Sequence, residues 1–191
     1  MRKWLLAGVA LVVLLAGWHP TLKEPEGLAL VRVLGVDGAG PVTLTAVCGG
    51  EDQEGNQSRG QCTGADFEEA LKEVPWSGEE ELSLTSVTYI VVGREVELES
   101  VLLAVLRNEK LGASATVWLA EDGAAELLGS CEDPAAALEL LERQGFEGPT
   151  VVEALAALYR GDELCLPLLM TGEDGLTLID WMEWRGQDAS R

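Results

Sequence analysis

The run Leu28-Ala-Leu-Val-Arg-Val-Leu34 is apolar at nearly every position and short, with Gly35 and Asp37-Gly38 behind it. Such a run predicts a strand buried on both faces. Pro41 to Val47 alternates instead, with Val42, Leu44 and Ala46 on one side, and the Asp37-Gly38 turn signal between the two runs predicts a hairpin. Gly35, Gly38 and Gly40 have the wrong spacing for a dinucleotide-binding loop and are followed by a strand pattern, so they read as turn residues. Glu51 to Gln61 is rich in Gly, Gln and Asn without a period and reads as a loop. Thr63 is then expected to cap a helix, with Asp66 three residues on and Phe67, Ala70, Leu71 and Val74 along one face. Glu79-Glu80-Glu81 reads as a solvated turn.

Val87 to Val92 forms another strand pattern ending at Gly93, and Ala115 to Leu119 a further one. Between them a helical segment from about Glu97 to Asn108 carries Val101, Leu102, Val105 and Leu106, so the trio predicts a right-handed crossover between parallel strands. Helical patterns return at Gly123–Leu128, at Asp133–Gln144 with Asp133 as N-cap and Pro134 at the first helical position, and at Thr150–Tyr159. The last has a Thr150/Glu153 capping box and a stop at Gly161. Leu164–Met170 and Leu176–Met182 read as strands, the first moved toward a sheet edge by Pro167. The predicted fold class is α/β, a mixed sheet covered by helices, with Trp118, Trp181 and Trp184 as core or sheet-edge residues.

The first 18 residues stand apart. Met-Arg-Lys precedes an uncharged stretch from Trp4 to Trp18, the layout of a secretory leader. Its length as a helix, roughly 22 Å at 1.5 Å per residue, is short of a ~30 Å hydrocarbon core. Residues 1–18 are therefore expected to be a signal peptide or N-terminal membrane anchor helix, 19–27 a linker, and 28–191 a single extracytoplasmic domain. Trp4 and Trp18 bracket the apolar stretch as membrane-interface anchors. Leu15 disfavours ordinary cleavage after Gly17.

Charge narrows the function. The chain has 33 acidic and 13 basic side chains, a net charge of −20 at pH 7, which opposes binding to nucleic acid or to an anionic membrane surface. Its one histidine, His19, adjoins the leader, so the body lacks the base of a Ser-His-Asp or Cys-His catalyst. The cysteines Cys48, Cys62, Cys131 and Cys165 allow two disulfides in three pairings. Cys48 and Cys62, which flank a polar segment, are the candidate disulfide, worth about 3 kcal/mol in the chain-entropy model; buried thiols are the alternative. No catalytic residue, cofactor or metal site is expected. Asp122, Asp162 and Asp180 sit at the ends of predicted elements, where caps and turns are their ordinary roles.

Several segments in order carry a family likeness: Leu15-Ala-Gly17 with Trp18; Leu28 to Asp37 with its Gly35-Val-Asp37; Phe67-Glu-Glu-Ala-Leu71; Tyr89-Ile-Val-Val-Gly-Arg-Glu95; Arg107-Asn-Glu109; Ala115 to Leu128; Leu166-Pro-Leu-Leu169; and Gly175-Leu-Thr-Leu-Ile179. Together they resemble the N-terminal domain of the Ger(x)C family, the C subunits of spore germinant receptors. The resemblance implies a non-enzymatic, membrane-associated extracytoplasmic subunit at the inner spore membrane, assembled with integral-membrane A and B subunits and acting in spore germination. Two positions depart from the family pattern: Trp18 replaces the lipid-bearing cysteine, and Ser86 stands where members often show a histidine. Members also continue for roughly another domain. The competing readings are a secreted acidic binding module of another family and a carboxylate-based hydrolase, which a raised carboxyl pKa in a cleft would mark.

Overall fold

The computed structural model describes residues 28–51, 57–73, 81–172 and 175–184. The expectations for the leader, for Trp4 and Trp18 and for the linker lie outside the described residues. The strands are β1 (Leu28–Asp37), β2 (Val42–Glu51), β3 (Gln57–Gly64), β4 (Glu81–Ser83), β5 (Tyr89–Gly93), β6 (Thr116–Ala120), β7 (Leu164–Gly172) and β8 (Gly175–Trp184). The helices are α1 (Phe67–Lys72), α2 (Leu98–Arg107), α3 (Ala124–Ser130), α4 (Pro134–Arg143) and α5 (Val151–Arg160).

All strands join one mixed sheet in the order β3-β2-β1-β5-β6-β7-β8, with β4 beside the start of β1, on the edge that β5 takes further along. The central β1, β5, β6 and β7 run parallel, and antiparallel partners flank them. This is the expected α/β sheet covered by helices, with the predicted hairpin as β1–β2 and the crossover as β5-α2-β6. Side-chain alternation divides the core into two layers. Leu34, Ile90, Val92, Val117 and Leu119 pack beneath α1, α2 and α5, whereas Val33, Val91, Trp118 and Ala120 pack beneath α3 and α4. β5 is buried at every position because it is covered on both faces. Leu102 and Val91 are fully buried, one in each layer.

Four local expectations change. Part of the predicted loop is β3, which pairs with β2 from Val42↔Gly64 to Val47↔Arg59; as an edge strand it needs no apolar alternation. Thr63 lies in β3, and the N-cap of α1 is Asp66, which accepts from Glu69 N at 2.8 Å. Glu81 opens the short strand β4. Pro167 is buried inside the sheet, in a strand paired on both sides.

The reason for the last lies at β6. β7 pairs with β6 only at Leu119↔Leu168 and Ala120↔Leu169. Lower down, β6 bonds instead to the connection between α4 and α5: Val117 N donates to Pro149 O at 2.8 Å and Val151 N to Ala115 O at 2.9 Å. The connection thus passes through the sheet from one helical layer to the other, filling the fork where β7 leaves β6. Pro167 sits at that fork, where β6 asks for no N–H from it. A Cβ at Gly148 would lie 2.4 Å from Val117 O, so only glycine fits the passage.

Candidate functional site

Open α/β sheets hold ligands where neighbouring strands send their chains to opposite faces, beyond the carboxyl ends of the strands. Here that place is above β5 and β6, since β5 continues into α2 on one face and β6 into α3 on the other. Gly123, at φ +111°, precedes α3 without a side chain to cap it. The cap comes from the end of β1: Asp37 Oδ1 accepts from Ala124 N and Oδ2 from Ala125 N, each at 2.7 Å. A carboxylate suits the positive end of the helix dipole and two orphan amides at once.

Two glycines make the contact feasible. A Cβ at Gly93 would stand 2.4 Å from Asp37 Oδ1, and one at Gly35 would stand 2.7 Å from Leu128 Cδ1 and 3.2 Å from Ala124 Cβ. Gly93 therefore leaves room for the carboxylate, and Gly35 lets α3 approach β1. Across the same end, Arg94 pairs with Glu121. The amides and the guanidinium that elsewhere bind anionic ligands are engaged here by carboxylates of the chain itself. What the arrangement does chemically is lock the ends of three strands and one helix together.

The aspartates singled out in the sequence are not brought together. Asp122 is exposed beside this cluster, just past β6. Asp162 precedes β7 at the other end of the sheet and pairs with Arg160 at 2.7 Å, and Asp180 lies exposed on β8 opposite Leu168. Glu153 holds its carboxyl below the ordinary range because the Thr150 amide and hydroxyl donate to it, the direction opposite to that of a general acid.

The candidate disulfide between Cys48 and Cys62 is not formed. Cys62 faces Leu44 across β2–β3, so Cys48 is four residues further along β2. That offset is about 13 Å at 3.3 Å per residue, whereas a disulfide needs Cα atoms within roughly 7 Å. Both side chains are buried in the same apolar layer; Cys62 donates to Ala70 O at 2.8 Å, and burial pushes its pKa up. Burial likewise raises Cys131, while Cys165 is exposed.

Trp118 is fully buried, as read from the sequence, and its indole N–H donates to Thr116 Oγ1 at 2.9 Å. Thr116 and Tyr89 hydroxyls both donate to the Glu142 carboxylate of α4, at 3.3 and 3.0 Å. Burial, followed by the bond to Glu142, pushes the Tyr89 pKa up. This network, at the amino ends of β5 and β6, is invisible in the sequence because its members lie up to 53 residues apart. Trp181 is 42 % exposed on β8, and Trp184 is half-buried.

Among the described residues no group of three or more His, Cys, Asp or Glu is placed to hold a metal ion, and no helix is long and apolar enough to cross a membrane. No family model, curated protein or solved structure matches the chain.

Proposed function

We propose that this protein is a non-enzymatic, membrane-associated extracytoplasmic subunit of the C type in a spore nutrient germinant receptor. It acts by assembling with the integral-membrane A and B subunits. The observation that supports the reading is the meeting of Asp37, Gly93 and Gly123 at one point. Each comes from a different Ger(x)C-like segment: Gly35-Val-Asp37, the strand ending at Gly93, and the strand-and-helix run Ala115 to Leu128. Short resemblances far apart in the chain thus share one structural task, which favours a common architecture over coincidence in each segment. The task is scaffolding, since both oxygens of Asp37 are engaged by α3.

The test is genetic and biochemical together. The tagged full-length chain, extracted from spore membranes, should co-purify with a multi-spanning receptor subunit, and its deletion should impair the response of spores to nutrients without slowing vegetative growth. Outside the Asp37 clamp each single exposed carboxylate should be dispensable, because exposed charge pairs are worth only about 0–1 kcal/mol. An Asp or Glu substitution that abolishes the response while abundance and assembly stay normal would replace the scaffold reading with the carboxylate enzyme.

A further inference from the structure

The two edges of the sheet are built differently. β3, Gln57-Ser-Arg-Gly-Gln-Cys-Thr-Gly64, is polar, and its Arg59 reaches across to donate to the carbonyls of Gly129 at 2.9 Å, Glu132 at 3.1 Å and Cys131. At the opposite edge β8, Gly175-Leu-Thr-Leu-Ile-Asp-Trp-Met-Glu-Trp184, has ten residues and neither proline nor a basic side chain. Six of its ten residues are large and apolar, and none of the ten is fully buried. Leu176 and Leu178 pack partly buried against one core layer and Met182 and Trp184 against the other, while Ile179 and Trp181 are 46 % and 42 % exposed. Among the described residues no strand lies on the outer side of β8. The strand carries two acidic side chains and a bulge at Ile179, where the register to β7 shifts, but neither the lysine nor the proline that most firmly closes an edge to a further strand.

We infer that β8 is a docking edge that takes an extended segment of another protein as an added strand, the segment being apolar and carrying Lys or Arg. Main-chain pairing would supply the affinity and complete the apolar cover of Ile179 and Trp181. Charge selects the occupant. Asp180 and Glu183 are the only charged side chains on β8 and the chain as a whole carries −20, so a second copy brings like charges to the seam and a basic strand brings opposite ones. The inference concerns the edge and the chemistry of the added strand, and it stands apart from the receptor reading.

The test uses the full-length chain in detergent micelles and three capped, fluorophore-labelled octapeptides: (Lys-Val)4, (Glu-Val)4, and (Lys-Val)4 methylated on every backbone nitrogen, so that neither edge of the strand has an N–H to donate. The third keeps the charge but cannot complete a ladder. Anisotropy should show saturable binding of the first, at least about tenfold weaker binding of the other two, and a similar loss for (Lys-Val)4 on the Asp180→Lys/Glu183→Lys chain. Hydrogen exchange should slow at β8 amides when the first peptide binds. Equal binding of the methylated peptide would reduce the effect to charge alone and overturn the inference, as would absence of saturation. Concentration-dependent dimerisation of the unaltered chain that Ile179→Lys abolishes would give the edge to a second copy and overturn it too. The peptide comparisons need no variant, so a folding defect in the substituted chain leaves the outcome readable.

Discussion

Substituting Asp37→Ala removes the acceptor from two α3 amides in one step. Hydrogen bonds to a charged group contribute about 1.5–3 kcal/mol each, so the pair would total about 3–6 kcal/mol if nothing replaced it. Both bonds are only part-buried, and water reaches the amides once the carboxylate is gone. Halving the sum for that rehydration leaves about 1.5–3 kcal/mol, which starts in the upper part of the roughly 0.5–2 kcal/mol of an ordinary N-cap replaced by alanine and extends beyond it. Asp37→Asn keeps one oxygen but turns an amide donor toward a backbone donor, so it should fall between, at about 1–2 kcal/mol. Urea unfolding with an unchanged slope would measure both. An alanine variant within about 0.5 kcal/mol of the parent would refute the clamp, since a surface substitution without a structural role costs no more.

Gly93→Ala puts a Cβ at 2.4 Å from Asp37 Oδ1 and should expel the carboxylate; a double-mutant cycle with Asp37→Ala should then show the two losses to be far from additive. Leu102→Ala should cost about 2–5 kcal/mol by cavity formation in the layer beneath α2, and a loss under about 0.5 kcal/mol in urea unfolding would contradict the packing. Glu153, whose carboxyl pKa is lowered in the folded chain, adds stability that is fully present above the unfolded carboxyl pKa and is lost as pH falls through the folded value. Comparing the acid limbs of the pH–stability curves for the parent and Glu153→Gln reads that contribution, which the glutamine variant should lack.

Elements written in local chemistry were legible before the structure. Asp133 and the Thr150/Glu153 box announce α4 and α5, as a cap binds amides three residues away. The parallel strands β5 and β6 are legible because burial on both faces leaves continuous apolar runs. β3 hid because an edge strand beside polar solvent has no such run, and Pro167 misled because what its missing N–H costs depends on which chain lies alongside. The candidate disulfide failed on register, which spacing does not carry. Asp37 reads as half of a turn signal, and it is one, but its bonds to residues 87 and 88 positions away arise only when the sheet assembles.

The fork at β6 also has a mechanical meaning. The β7–β8 hairpin carries the exposed edge, yet its ladder to the rest of the sheet has two rungs, at Leu168 and Leu169. Tension applied to β8 along the hydrogen-bond direction reaches the centre through those rungs and through the apolar contacts of Leu164, Leu166 and Leu168, while Thr116 and Val117 stay tied to the α4–α5 connection. The sheet would therefore yield as a zipper at one seam. The hairpin would swing out with its own pairing whole, and the clamp at Asp37, four strands away from β8, would remain closed.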